Sequence, residues 1–293
     1  MSDFVQQQHT ICNFSNEESW VILSPIEQSI KQKIESVGTP LKDWDIKIYR
    51  GVLTGYNDAF IISTEKRDEI LANCQTEDER LRTAELIRPI LRGRDIKRYG
   101  YNWADLWLIA TFPSRHYDIE MYPAVKAHLL SFGKERLEQT GKKYIINGEE
   151  IKARKKTSNK WFETQDSISY WDDFLLPKLI YPETTQGAFF AYDETGLFLD
   201  KTCFMMISKH ARYLQATLSS QLFEFAYKRI FSSVELGQHG FQYNKHALIK
   251  LPVKIFNESD SVAYSDEFFY NCYGITNEEI EYITGTIQSP QNQ

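Results

Sequence analysis

Phosphate recognition needs cationic side chains, and the densest group of them lies between Ile87 and Tyr101, in IRPILRGRDIKRYGY. The stretch opposes a single acid, Asp95, with five cations: Arg88, Arg92, Arg94, Lys97 and Arg98. Arginine can hold a phosphate or read guanine through two hydrogen bonds worth about 1–3 kcal/mol. A functional interpretation gives such contacts to Arg92, Arg94, Lys97 and Arg98. A structural one makes the stretch a solvated loop in which one arginine pairs with Asp95.

A second basic stretch covers residues 134–160 and includes KARKKTSNK, directly before Trp161. Cations beside an aromatic ring suit a groove that holds nucleic acid. The candidate contacts here are Arg154, Lys155, Lys156, Lys160 and Trp161. Alternatively, the stretch is a flexible basic loop that raises solubility.

Two glycine-containing segments carry side chains of the kinds that read base edges. RGVLTGYNDAF, from Arg50 to Phe60, presents Thr54, Tyr56 and Asn57, and asparagine can bind adenine through two hydrogen bonds. A turn whose glycines accept positive φ explains the same segment in purely structural terms. ELGQHGFQYNKHAL, Glu235 to Leu248, presents Gln238, Tyr243, Asn244 and Lys245.

Signatures of catalysis are missing from the sequence. It contains no G-x-x-x-x-G-K-[ST], G-x-G-x-x-G, G-x-S-x-G or H-E-x-x-H motif. Its six histidines have no metal-ligand spacing. Glu150 to Lys152 fits the second half of a metal-nuclease motif, but the Pro-Asp dipeptide of the first half is absent. We therefore expect no catalytic centre and no metal site in this chain.

Composition is that of a globular protein of 293 residues, with 42% hydrophobic and 25% charged residues. The net charge is −6, but seven acids and no lysine or arginine follow Lys254, so the preceding part is slightly positive. Overall acidity therefore does not exclude a polyanionic partner. Four scattered cysteines, the lack of a secretion signal and the lack of a long apolar run predict a cytoplasmic protein without a membrane partner.

Helix and strand patterns alternate without a regular βαβ rhythm, which favours an α+β fold with mixed and antiparallel sheets and packed helices. Residues 24–38 predict a helix, and a glycine hairpin follows at residues 44–63. Residues 122–141 and 211–231 each predict one helix. We expect one main domain over residues 1–254, with a subdomain break near 140–160. An acidic segment with a short helix follows over residues 255–293.

Several blocks together resemble one family. The blocks are GVLTGYNDAF (Gly51–Phe60), IRPILRGRDIKRY (Ile87–Tyr99), KWFE (Lys160–Glu163), PKLIY (Pro177–Tyr181), the helix that begins near Tyr213, and YGITNEEI (Tyr273–Ile280). Their order and spacing resemble the TaqI-like C-terminal specificity domain of type II restriction–modification enzymes. The resemblance covers nearly the whole chain, and the first two blocks are its most specific part.

The resemblance implies a target-recognition-like fold that reads a DNA sequence, while a separate domain or subunit transfers a methyl group to adenine N6. S-adenosylmethionine would be that domain's cofactor, with Mg²⁺ where a nuclease is also present. The methyltransferase Asn-Pro-Pro-Tyr motif is absent here, so the chain resembles only the specificity part. Since targets differ among members, the shared Arg92, Arg94 and Arg98 are assigned to positioning or fold, and base reading to less family-like loop residues. The alternatives are a protein-interaction module of a defence complex and a cryptic Mg²⁺-dependent nuclease using Glu150 and Lys152.

Overall fold

A computed structural model describes residues 23–232, 235–236, 240–256 and 264–288, with only the backbone described at 235, 236 and 288. Helices and several sheets mix within it, so the predicted α+β class is confirmed. Among the described helices, none has the length and apolarity that crossing a membrane requires.

The described α-helices are α1 (Pro25–Val37), α2 (Asn57–Phe60), α3 (Thr64–Ala72), α4 (Glu77–Leu86), α5 (Pro123–Leu130), α6 (Lys134–Leu137), α7 (Ala211–Ser219), α8 (Gln221–Ala226), α9 (Lys245–Leu248), α10 (Asp266–Cys272) and α11 (Asn277–Gln288). A π-helical turn, Tyr227–Phe231, continues α8.

The described strands are β1 (Thr39–Pro40), β2 (Lys47–Arg50), β3 (Ile61–Ser63), β4 (Ile87–Leu91), β5 (Ile96–Lys97), β6 (Gly100–Tyr101), β7 (Leu106–Ile109), β8 (Lys143–Ile146), β9 (Glu149–Lys152), β10 (Lys178–Pro182), β11 (Thr184–Thr185), β12 (Ala191–Asp193), β13 (Phe198–Leu199), β14 (Cys203–Ile207), β15 (Glu235–Leu236), β16 (Gly240–Gln242) and β17 (Pro252–Val253). Two four-stranded sheets dominate, the antiparallel β12-β10-β14-β2 and the mixed β13-β4-β7-β3. The smaller sheets are β11-β16-β15 and the pairs β1-β17, β5-β6 and β8-β9.

The antiparallel sheet β12-β10-β14-β2 lies between two hydrophobic cores. Successive side chains of a strand point to opposite faces, so Leu179 and Tyr181 pack in a core with the N- and C-terminal helices, and Ile180 packs in the other. Burial on both faces explains the continuous apolar run of β10, where Lys178 is also buried because Asp193 neutralises it.

Local capping signals predicted helix ends well. Ser24 accepts a hydrogen bond from the Glu27 amide and begins α1, which ends at Gly38 as expected. Thr76 caps α4 in the same way through Glu79. These interactions join residues three positions apart, so they depend little on the rest of the fold.

Three predictions of local structure are wrong. The glycine hairpin at residues 44–63 does not form, because β2 pairs with β14 and β3 pairs with β7 in a different sheet. The helix over 122–141 breaks at Gly133, whose φ of 85° is left-handed, and the helix over 211–231 breaks at Ser220, which caps α8. The β8–β9 hairpin lies within residues 140–160, and the subdomain break near these residues stays a prediction.

The described acidic helices near the C-terminus pack onto the core that contains α1. Phe269, Tyr273 and Ile283 are buried in it. Glu279 of α11 receives hydrogen bonds from Ser29 and Lys33 of α1, at 2.7 and 2.6 Å. Part of the negative charge after Lys254 is therefore paired within the protein.

Candidate nucleic-acid interface

The turn RGRD, Arg92–Asp95, is locked by its own charged residues. The Arg92 guanidinium donates Nε to Asp95 Oδ2 and Nη2 to Asp95 Oδ1, at 2.8 and 2.9 Å. Burial works to raise the pKa of Asp95, but hydrogen bonds from the Arg92 side chain and backbone outweigh it and lower that pKa. The structural interpretation of one Arg–Asp95 pair is thus the one seen, and Arg92 acts mainly within the fold.

The other cations of this turn and of the β5–β6 hairpin that follows it fall into two groups, one bound within the fold and one exposed. Arg98 donates from Nε (3.0 Å) and Nη2 to the Ser219 carbonyl at the end of α7, and its Nη2 lies 3.7 Å from Glu224 Oε2. A cation suits this position because the helix dipole is negative at its C-terminus. Arg94 and Lys97 instead have exposed side chains, and Tyr99 at the tip is 55% exposed. These three can meet an external partner.

The block Gly51–Phe60 is held by close backbone packing. A Cβ on Gly51 would lie 2.0 Å from the Asp200 carbonyl oxygen, so no other residue fits there without movement. Thr54 is fully buried, and its hydroxyl donates to Asn57 Oδ1 at 2.7 Å. Tyr56 is half-buried against Phe132. Of the predicted base-contacting residues in this block, only Asn57 is exposed.

Arg154 is the centre of a buried polar junction. Its guanidinium donates to four main-chain carbonyls, those of Leu137, Thr54, Glu163 and Trp161, at 2.8, 2.8, 2.8 and 2.7 Å. The side chain is buried, and desolvation lowers the pKa of Arg154 to about 10, so it stays charged at neutral pH. The junction ties the Gly51–Phe60 block to the Lys160–Glu163 block.

Exposed cations surround this junction. Lys155 and Lys156 follow Arg154 and point into solvent, as do Lys143 and Lys152 on the β8–β9 hairpin. Lys160 is exposed and its Nζ lies 5.5 Å from the centre of the Phe162 ring, while Trp161 is half-buried edge-on to Phe162. The predicted cation-plus-aromatic arrangement is therefore accessible at Lys160 and partly at Trp161.

The segment near residues 240–248 is mostly structural where it is described. Tyr243 is buried, and its burial raises the pKa of the phenol well above the usual value. Asn244 caps α9 by accepting from the Ala247 amide at 2.8 Å. Lys245 is exposed, and Gln238 lies outside the described residues.

The predicted DNA contacts differ in their burial and in their partners within the fold. The side chains of Thr54, Arg154 and Tyr243 lie inside the protein, where no duplex can reach them without unfolding. Hydrogen bonds within the fold engage the polar side-chain groups of Arg92, Arg98 and Asn244. Arg94, Lys97, Lys155, Lys156, Lys160 and Lys245 have exposed side chains.

The two basic stretches approach each other through the start of the Gly51–Phe60 block. The turn at residues 200–203 contacts both the first basic stretch and the residue before the Gly51–Phe60 block. Thr202 Oγ1 accepts a hydrogen bond from the Gly93 amide (2.8 Å), and the Lys201 carbonyl accepts one from Arg50 Nε (2.9 Å). Arg50 lies four positions before Thr54, whose carbonyl binds Arg154, and such a span is at most about 14 Å. Segments distant in sequence are therefore close in the fold.

Sequence reasoning missed the β8–β9 hairpin, although a signal for it was present. Asn147 and Gly148 have φ of 53° and 84°, as the two central residues of a type I′ turn require. An Asn-Gly pair between the alternating residues of KYII and EEIK is the strongest short-range hairpin signal. The high charge of the stretch concealed it.

Within the described ranges, no three His, Cys, Asp or Glu side chains are grouped to hold a metal ion.

The model of the TaqI-like C-terminal specificity domain matches residues 88–253, more than half of the chain. The chain therefore belongs to this family, as its sequence blocks predicted, and it is a DNA-recognition domain.

The type IIG restriction endonuclease BpuSI shares the fold, with a TM-score of 0.50 and 14% identity over 89% of this chain and 28% of BpuSI. The type IIL restriction-modification enzyme MmeI, solved in complex with DNA, aligns with a TM-score of 0.49 and 12% identity, over 85% of this chain and 36% of MmeI. The chain thus corresponds to about a third of these proteins or less. Among curated proteins, none matches significantly.

Proposed function

We propose that this chain selects the DNA sequence at which an adenine-N6 methyltransferase of a restriction–modification system acts. Family membership over residues 88–253 is the observation that carries the proposal. The methyltransferase would lie in another domain or subunit, with or without a nuclease. That part would hold S-adenosylmethionine, and Mg²⁺ where a nuclease is present. The proposed location is the cytoplasm, where such systems meet DNA.

The exposed cations supply the chemistry that DNA docking needs. Lysine and arginine side chains neutralise phosphates and set the position of the protein on the duplex, while base-edge contacts supply specificity. Arg94 and Lys97 from one stretch and Lys155 and Lys156 from the other have exposed side chains that can take this role. Because adenine must leave the base stack to be methylated, a firmly positioned domain would also hold the duplex during that distortion.

A salt titration tests the proposal. The 293-residue chain is titrated with a randomised 24-base-pair duplex library at several salt concentrations. Affinity should fall linearly with the logarithm of salt, with a slope that counts neutralised phosphates at about 0.9 each. Replacing Arg94, Lys97, Lys155 and Lys156 together by glutamine should lower the slope by up to about 3.6.

The matched control replaces Lys42 and Lys209 by glutamine. Both lysines are exposed, and they lie near the Trp44–His210 ring contact on another part of the chain. It should leave the slope unchanged. Absent or salt-insensitive binding by the wild-type chain, together with capture of a protein partner, would instead support the interaction-module alternative.

A further inference from the structure

The β8–β9 hairpin, residues 143–152, is here called the ribbon, and its base is firmly mounted. The ladder continues below it, because the Ala153 amide donates to the Lys142 carbonyl and the Gly141 amide to the Arg154 carbonyl, both at 2.9 Å. The next residue, Arg154, is the buried guanidinium with four carbonyl partners. An isolated two-stranded hairpin is marginally stable in water. This junction supplies the missing support and gives the ribbon a defined direction.

The two faces of the ribbon differ. Cross-strand partners share a face and successive residues alternate, so the register places Tyr144, Ile146 and Ile151 on an inner face. These three are half-buried, and the Tyr144 hydroxyl donates to Glu138 at 2.8 Å. The outer face consists of Lys143, Ile145, Glu150 and Lys152. All four are exposed, Ile145 to 81%.

The outer face of the ribbon combines exposed charged side chains with one exposed apolar side chain. Lys143 lies directly opposite Lys152, and like charges at facing positions destabilise a hairpin. Ile145 is an exposed β-branched side chain opposite Glu150. Lys143 Nζ and Glu150 Oε1, 2.9 Å apart, form an ion pair within this face. A partner that is anionic at the edges and offers a methyl group and amino groups between them would complement all four side chains.

The major groove of duplex DNA has these features and the right size. It is about 12 Å wide and 8.5 Å deep, and it admits a two-stranded ribbon. The strands of such a ribbon lie about 4.8 Å apart, and four residues of a strand extend about 13 Å. That length matches about four base pairs at 3.4 Å each. Phosphates border the groove, and cytosine amino and thymine methyl groups line its floor.

We propose that the outer face of the ribbon enters the major groove of the target duplex and reads part of its sequence. Glu150 accepts a hydrogen bond from a cytosine N4 amino group, Ile145 contacts a thymine methyl group, and Lys143 and Lys152 contact the flanking phosphates. The inference rests on the proposed function and deepens it, because it names the reading element and the groove.

Selection from the randomised duplex library, followed by sequencing of the bound fraction, tests the inference. Glu150→Gln should lose the preference for cytosine at one position by about tenfold or more. The salt slope should stay unchanged or rise slightly in that variant. Ile145→Ala should relax the preference for thymine at a nearby position. Lys152→Gln should weaken binding to all sequences alike and lower the slope by about 0.9.

Glu149→Gln is the matched control, since Glu149 neighbours Glu150 in the same strand but belongs to the inner face. It should retain the wild-type preference. If the wild-type chain selects a sequence and the Glu150, Ile145 and Lys152 variants select it equally well with the same slope, the inference fails and the proposed function stands. If the wild-type chain binds no DNA, both fail. Loss of a protein partner with unchanged DNA selection would make the ribbon a protein contact and overturn the inference.

Discussion

The two basic stretches look alike in sequence but use their cations differently. In the first, Arg92 and Arg98 bind a carboxylate and a carbonyl of the fold. In the second, Arg154 is buried and binds carbonyls of the fold, whereas the lysines that neighbour it point into solvent. Guanidinium offers five donors in a rigid plane and suits buried carbonyls, whereas the ammonium group of lysine is strongly hydrated. Cation density in a sequence therefore does not measure the cationic surface of the fold.

The comparison also separates residues of the family-like blocks from residues that lie between those blocks. Arg92 and Gly51, both in shared blocks, are explained by an internal ion pair and a close backbone contact. The ribbon lies between such blocks, and its outer face has exposed side chains. Of the three arginines that the resemblance assigns to positioning or fold, Arg92 and Arg98 have partners within the fold, whereas Arg94 is exposed.

The largest expected effect comes from Arg154→Met, which leaves four buried carbonyls without their donor. We expect the free energy of unfolding to fall by at least about 3 kcal/mol, because each unsatisfied buried group costs about 1–3 kcal/mol. Urea denaturation measures this, and amide hydrogen exchange in the ribbon should accelerate. Lys155→Met introduces the same side chain at the exposed neighbouring position and should change stability little. Equal denaturation midpoints for the two variants would contradict the role given to Arg154.

A smaller effect is expected from Asp95→Asn, which removes the ion pair of the RGRD turn. Hydrogen bonds to charged groups contribute about 1.5–3 kcal/mol, so the loss at neutral pH should be about 2 kcal/mol. The folded-state pKa of Asp95 lies below its usual 3.8, so the stabilisation is present above that pH and is lost as pH falls through the folded-state pKa.

Urea denaturation from pH 7 down to pH 3 should therefore show the wild-type and Asp95→Asn curves converging in acid. Asp45→Asn, at an exposed position, should follow the wild-type protein throughout. A stability difference that does not vary with pH would show that the charge of Asp95 is not what stabilises the turn.

The smallest effect is expected from Tyr243→Phe. The Tyr243 hydroxyl is buried without a hydrogen-bond partner among the described residues, so its removal costs no interaction. Stability should stay the same or rise by up to about 1 kcal/mol, and DNA affinity should not change. Tyr227→Phe is the matched control, because that hydroxyl donates to the Gln242 carbonyl at 2.7 Å and accepts from the Asn244 amide at 3.0 Å. It should destabilise the protein by about 1 kcal/mol. A loss of DNA affinity in Tyr243→Phe alone would return Tyr243 to the interface.

The sequence by itself determined the features that depend on neighbouring residues. The caps at Ser24 and Thr76, the α+β class and the family blocks were all readable, since each rests on short spacings or local patterns. The Asn147–Gly148 turn belongs to the same kind of signal, although the charges around it concealed it.

Only the tertiary structure decided which polar residues are free to meet DNA. Nothing near Arg154 in the sequence shows that carbonyls as far away as Thr54, a hundred residues earlier, surround its guanidinium. Likewise, β2 and β3 pair with strands of different sheets that the local pattern does not name. The physical reason is that burial and pairing depend on partners distant in the chain. Residues of identical type, two arginines or two tyrosines, thus become scaffold or surface according to what folds against them.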